Sequence, residues 1–189
     1  MKHVKPILLT GCTATGKSKL AKELAALTPS LIINADALQV YSCWKIITAR
    51  PSEDDMREFD HALYGHISCR KNYDVALWLD QIKTQLENAR FKRLRPIIVG
   101  GTGLYFNTII KGMSKIPDID LKTRNTVRNL YRKLGCKEFY SQLLELDPKI
   151  NGRILPTDAQ RLQRAYEVKL KTNKSLFDWF ANTKSEFTD

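Results

Sequence analysis

The chain has 189 residues, 43% of them hydrophobic, and carries a net charge of +11 with a pI near 9.6. That is enough for one ordinary domain and a small second one with a real core, and the basic balance makes nucleic acid the leading macromolecular partner. No apolar run approaches the ~20 residues of a membrane span, no signal peptide precedes the first strand, and Cys12, Cys43, Cys69 and Cys136 form no C-x-x-C pair that would suggest structural zinc. A cytosolic, membrane-free protein with buried or incidental thiols in a reducing compartment is expected, most simply as a monomer.

The first strand signal is Pro6-Ile7-Leu8-Leu9-Thr10, followed by a glycine-rich turn and a helical pattern from Ser18 to Leu24. A second buried strand, Leu31-Ile32-Ile33-Asn34-Ala35, comes next. A long helical pattern runs from about Tyr73 to Arg93, with Arg90, Lys92, Arg93 and Arg95 crowded at its C-terminal end, where cations suit the helix dipole. Pro96 stops it and leads into a third strand, Ile97-Ile98-Val99. Short, wholly apolar strands separated by helices indicate an α/β fold, a parallel sheet with helices on both faces.

From about Met113 the composition changes. Residues 111–137 hold eight Lys/Arg against two Asp, strand signals vanish, and helical patterns run through 121–134, 137–146 and 157–171. The expected organisation is a phosphate-loop α/β core over 1–112, a helical insert over 113–156, and a return to the core over 157–189. Arg124, Arg128 and Arg132 fall on one face of a helix as a basic stripe, which serves either as a solvated surface or as an anion-binding one.

Residues 11–18 read Gly-Cys-Thr-Ala-Thr-Gly-Lys-Ser, an unbroken G-x-x-x-x-G-K-S loop of the ATP-binding type between a strand and a helix. Gly11 and Gly16 let the backbone curl its N–H groups inward, and the following helix adds its positive end to the cradle. Lys17 is placed to reach the distal phosphate and Ser18 to coordinate Mg²⁺ through its hydroxyl. Many such NTPases end another strand in a metal-holding aspartate. Here the later strand runs into Val99-Gly100-Gly101-Thr102-Gly103-Leu104-Tyr105 with no carboxylate at its tip. The nearest acid at a strand end is Asp36, either a helix N-cap or a chemical group. Ligands in open parallel sheets sit at the C-terminal strand ends, so Asp36, Thr102 and the loop should line one crevice. An acid, a hydroxyl and a pyrophosphate cradle suit displacement of pyrophosphate better than hydrolysis of a γ-phosphate.

These residues together resemble the tRNA dimethylallyltransferases, also called isopentenyl-tRNA transferases. The likeness is carried by the loop, Asp36-Ala37-Leu38-Gln39-Val40-Tyr41, Thr48-Ala49-Arg50-Pro51, His61, the Val99–Tyr105 run, and Asp158-Ala159-Gln160-Arg161-Leu162-Gln163-Arg164-Ala165-Tyr166-Glu167-Val168. It spans the whole chain in order. The resemblance implies a phosphate-loop NTPase-like fold that moves a dimethylallyl group from dimethylallyl diphosphate to N6 of an adenosine. In the family this adenosine lies 3′ of the anticodon in tRNAs reading codons that begin with U. The implied donor cradle is Gly11, Thr13, Ala14, Thr15, Gly16, Lys17 and Ser18, with Mg²⁺. Asp36 is implied as general base and Thr102 as stabiliser of the departing diphosphate. The tRNA anticodon stem-loop is implied to meet Asp36, Ala37, Leu38, Gln39, Thr102, Arg124, Gln160, Arg161, Leu162, Gln163 and Arg164.

The chain departs from the family at Cys12 (commonly Pro), Ala37 (Ser), Ile47 (Gly) and Asn173 (Gly), the last mild because Asn tolerates a left-handed backbone. Family members run to roughly three hundred residues, so the resemblance implies a C-terminally truncated form. Two other readings follow: a non-catalytic tRNA-binding remnant, motivated by the length and the charge, and a small-molecule kinase, motivated by the loop alone.

Overall fold

The computed structural model describes residues 5–185 and 187. The chain divides into two compact units, one running through Lys111 and regaining the chain at Ser185, the other Gly112–Lys184.

The first unit is built on four parallel strands: β1 (Ile7–Thr10), β2 (Ser30–Asn34), β3 (Asp60–Ala62) and β4 (Arg95–Gly100), in the spatial order β1-β4-β2-β3. Parallel strands need crossovers, and helices supply the three: α1 (Lys17–Leu27), α2 (Glu53–Glu58) and α3 (Val75–Phe91), with α4 (Gly103–Lys111) following β4. Alternation along each strand sends side chains to opposite faces. Leu31, Ile33 and Ile98 pack with Trp78, Leu79 and Ile82 of α3 and Tyr105, Phe106 and Ile109 of α4. Ile32, Ile97 and Val99 pack with Ala21 of α1. Both faces are thus covered, as the apolar runs imply. Within the first face Trp78 stacks on Tyr105 with ring centroids 4.2 Å apart.

Several local features differ from the sequence expectation. Asp74 caps α3 by accepting from the amides of Ala76 and Leu77, but the helix ends at Phe91 in a turn where Arg93 takes a φ of 58°; Pro96 lies inside β4 opposite Leu31. β3 and α2 carry no apolar run and escape pattern reading. α2 is held by a capping box in which Ser52 and Asp55 exchange side-chain-to-backbone bonds. Cys43 and Cys69, 26 residues apart, are disulfide-bonded with Cα atoms 6.2 Å apart, whereas Cys12 and Cys136 are free and exposed. The expectation of buried or incidental thiols in a reducing compartment is corrected for that pair: spacing along the chain does not reveal that the bridge between Tyr41 and Ile67 brings the two segments together.

The second unit is helical: α5 (Leu121–Leu146), a 3₁₀ turn (Pro148–Ile150), α6 (Ala159–Thr172) and α7 (Leu176–Ala181). Asp120 caps α5 by accepting from Thr123 N at 2.8 Å, and Gly135, with φ 75° and ψ 176°, breaks the helix between the two patterned stretches. Its core joins Val127, Phe139 and Leu143 of α5 to Leu162, Ala165, Tyr166 and Val168 of α6 and Leu176 of α7. The sequence returns residues 157–189 to the α/β core. The structure instead keeps α6 and α7 with α5, because the apolar stripe of α6 is what closes this helical core. α6 ends at Asn173 in the left-handed conformation (φ 53°), as its tolerance for that backbone allows.

Candidate active site

The α/β unit gathers its polar chemistry at the C-terminal ends of β1, β2 and β4. The loop after β1 turns into α1 at Gly16, whose φ of 82° favours a residue without a Cβ. α1 starts with no side-chain cap and no acidic residue in its first turn, so its amide N–H groups and positive end are left for an anion. Thr15 Oγ1 donates to Cys12 O at 2.9 Å, and Lys17 Nζ donates to the same carbonyl. Ala14 sits at a φ of 64°, and Thr13 and Ser18 are exposed.

Two glycines bring the next strand end close. A Cβ on Gly100 would lie 2.1 Å from Ala35 O, so β2 and β4 can approach this way only with glycine there. A Cβ on Gly101 would lie 3.5 Å from Gly11 O and 3.6 Å from Asp36 Oδ2, which puts this backbone between the phosphate loop and the carboxylate. Thr102 follows immediately; its Oγ1 accepts from Ala37 N at 2.9 Å and its amide donates to Ala35 O at 3.2 Å. Asp36 and Thr102 therefore stand on either side of the backbone at Gly101, which itself lies close to Gly11 of the phosphate loop.

Asp36 does part of what a cap does. Its Oδ1 accepts from Leu38 N at 2.9 Å and Gln39 N at 3.4 Å, fixing a turn rather than a helix. Oδ2 has no protein donor among the described residues and faces Gly101. Burial, and after it the Asp36 charge, pushes the Tyr64 phenol up; burial, then Tyr41 and Asp36, raise Tyr105 to about 12. Beside Ser18 a cavity of about 100 Å³ is lined by Ile32, His61, Tyr64, Val99 and the Lys22–Asp55 pair. Burial holds the His61 imidazole below its ordinary value, and its Nδ1 lies 2.8 Å from Phe59 O.

The remaining residues implied to meet tRNA fall into two groups. In the α/β unit Leu38 is exposed, Ala37 packs against the core, and Gln39 donates to Thr48 O at 2.7 Å. In the helical unit Arg124, Arg128 and Arg132 are all exposed on α5, and Gln160 and Arg161 are exposed at the start of α6. Arg161 and Arg164 pair with Asp158 and Glu167 at 3.2 and 3.5 Å, and Gln163 is half-buried. Leu162 is a correction: its side chain is fully buried in the helical core and presents nothing to an RNA. A residue the sequence did not single out, Asn34, closes β2 with a wholly buried carboxamide; a polar residue at the end of an apolar strand was the available signal.

The family model for IPP transferase matches residues 39–188. The chain belongs to that family. It is 48% identical over 188 residues to a tRNA dimethylallyltransferase of Pelagibacter ubique, covering 100% of this chain and 60% of that protein. It is 43% identical over 177 residues to one from the Wolbachia of Culex pipiens, covering 93% and 59%. Among solved structures, a eukaryotic dimethylallyltransferase acting on tRNA superposes with a TM-score of 0.81 at 26% identity, over 98% of this chain and 47% of that one. The tRNA isopentenylpyrophosphate transferase of Bacillus halodurans gives a TM-score of 0.59 at 28% identity, over 92% and 57%. The chain thus spans about 60% of the length of the relatives it matches. The fold is that of these transferases.

Proposed function

We propose that the chain transfers a dimethylallyl group from dimethylallyl diphosphate to N6 of the adenosine 3′-adjacent to the anticodon, in tRNAs reading codons that begin with U. One observation carries the reading: the donor-free oxygen of Asp36 lies across Gly101 from the phosphate loop, with Thr102 next in the chain and bonded to the Ala37 amide. The names of the relatives support it.

In this reaction the adenine N6 attacks C1 of the donor, the C1–O bond breaks, and diphosphate leaves with the bonding electrons. A stacked N6 cannot reach such a carbon, so the base is extruded. Asp36 Oδ2 takes the N6 proton as the new C–N bond forms, while Oδ1 stays anchored in its turn. Thr102 Oγ1 already accepts from Ala37 N, so its own proton is free to donate to the departing oxygen. The α1 amides and Lys17 stabilise the charge that develops on the diphosphate. Lys17 moves off the Cys12 carbonyl to do so.

Among the described residues no three His, Cys, Asp or Glu side chains gather to hold a metal ion. Mg²⁺ is commonly held by few protein groups and by phosphate oxygens, so the Ser18 hydroxyl fits an ion that arrives with the donor. When bound, that ion supplies charge neutralisation to the diphosphate.

Purified chain incubated with dimethylallyl diphosphate, Mg²⁺ and unmodified tRNA, followed by mass spectrometry of digested nucleosides, tests the reading. N6-dimethylallyladenosine is the expected product, lost in Asp36→Ala with donor binding retained. Folded protein that binds tRNA but makes no product overturns it in favour of a non-catalytic tRNA binder, the reading that the exposed arginines of α5 support on their own.

A further inference from the structure

We propose that Asn34 is a positioning residue for Asp36: its carboxamide holds the Asp36 backbone so that Oδ2 faces the phosphate loop. This rests on the reading of Asp36 as the base. Asn34 is fully buried, and every hydrogen-bonding group of its side chain is used. Oδ1 accepts from Asp36 N at 2.9 Å, while Nδ2 donates to Asp36 O and Leu63 O, both at 3.0 Å. Its own carbonyl accepts from Trp78 Nε1 at 2.9 Å, and β2 pairs it with Val99 of β4. Asn34 is therefore fixed to the core before it grips anything.

What it grips is the backbone on both sides of the Asp36 Cα. The peptide joining Asp36 to Ala37 is held at its two ends by different residues: its C=O by Asn34 Nδ2 and its N–H by Thr102 Oγ1. With that plane and the Asp36 amide pinned, and Oδ1 occupied by Leu38 N, the carboxylate has one direction left for Oδ2. No other side chain supplies this set. Aspartate keeps the acceptor but sets a buried carboxylate against two carbonyls, and serine reaches Asp36 N alone. Alanine loses all three bonds.

The test compares Asn34→Ser and Asn34→Ala with the unaltered chain in two arms. In the first, kcat for prenyl transfer falls in the order Asn, Ser, Ala, by about 100-fold at Ala, the size of effect that a misplaced catalytic group produces. KM for dimethylallyl diphosphate stays within about twofold, because the phosphate loop is untouched. A purely structural role would lower donor binding and turnover together. In the second arm, amide hydrogen exchange quickens at least about tenfold at Asp36 in Asn34→Ala, and at Ala37, whose peptide loses its hold on the Asp36 carbonyl, in both variants, with Leu31–Ile33 still protected. This arm reads the hydrogen bonds without needing turnover, and Asn34→Ser serves if Asn34→Ala fails to fold. Unchanged exchange at Asp36 and Ala37, or unchanged kcat in a chain where Asp36→Ala is inactive, overturns the proposal. An Asp36→Ala variant that still transfers overturns the base assignment instead, and the exchange arm then separates that failure from this one.

Discussion

In the α/β unit the polar groups of the site are tied to backbone: Asp36 Oδ1 to Leu38 N, Thr102 Oγ1 to Ala37 N, Asn34 to Asp36 on both sides. In the helical unit Arg124, Arg128 and Arg132 stand exposed on α5, with no acidic side chain paired to any of them among the described residues. The first arrangement ties each group to backbone, the kind of fixed placement that bond-making needs. The second presents charge on flexible stems, which suits a polyanion whose phosphates need no single position. On the proposed function, two kinds of work would thus leave different signatures in two parts of one chain.

The largest effect that can sharpen this contrast is at the fixed group. Asp36→Asn should lower kcat by about 10²- to 10⁴-fold with donor affinity unchanged, measured by single-turnover prenyl transfer. A loss of donor affinity of the same size would show that Asp36 belongs to the cradle instead. Next comes Leu162, which the resemblance places against tRNA and the structure buries. Leu162→Ala should destabilise the chain by about 2–5 kcal/mol in urea, whereas exposed Gln160→Ala should stay within about 0.5 kcal/mol. Equal stability of the two variants would break the assignment of α6 to a packed core.

Smaller still is the stripe. Replacing Arg124, Arg128 and Arg132 by Gln one at a time should weaken tRNA binding severalfold each. It should also reduce the salt slope by about one unit for each phosphate left without its arginine, with the melting temperature unmoved. A slope identical to that of the unaltered chain would make the stripe a solvated face.

The smallest effect is at the Lys22–Asp55 pair, 2.6 Å apart beside the cavity. The hydrogen bond from Lys22, with those from Ser52, holds Asp55 down from 3.8 to about 2, and the same bond raises Lys22. Asp55 is lowered in the folded state, so its contribution is present above 3.8 and lost as pH falls through about 2. Lys22 is raised, so its contribution is present below 10.5 and lost as pH climbs past its folded value. The stability gap between the chain and Asp55→Asn should therefore close between about pH 4 and pH 2, read by denaturant midpoints. A gap constant over that window would show that the pair contributes through packing alone.

How much of this was legible in the sequence depends on how local each feature is. The phosphate loop, β1, β2, β4 and the two halves of α5 announce themselves because each is a continuous pattern of its own residues. Asp36 and Thr102 could be placed together because strand ends of a parallel sheet share an edge. What escaped was made by partners distant in the chain. β3 exists by pairing Asp60–Ala62 with β2, and the Cys43–Cys69 bridge exists because Tyr41 meets Ile67. α6 belongs with α5 because Leu162, Ala165 and Val168 meet Val127, Phe139 and Leu143. Asn34 shows its use only once Leu63 and Trp78 are seen to anchor it.

The open start of α1 has a consequence for the fold itself. Gly16 offers no side-chain cap, and the first turn, Lys17-Ser18-Lys19, holds no acid to oppose the dipole. A helix end left this way is less stable than a capped one by about 1 kcal/mol, and a diphosphate seated there acts as the missing cap. On the proposed function the donor is then a structural element as well as a reagent. At a hundred times its dissociation constant a ligand of the native state adds about 2.7 kcal/mol of stability, so on the proposed function the supply of prenyl diphosphate would set part of how firmly this unit is folded.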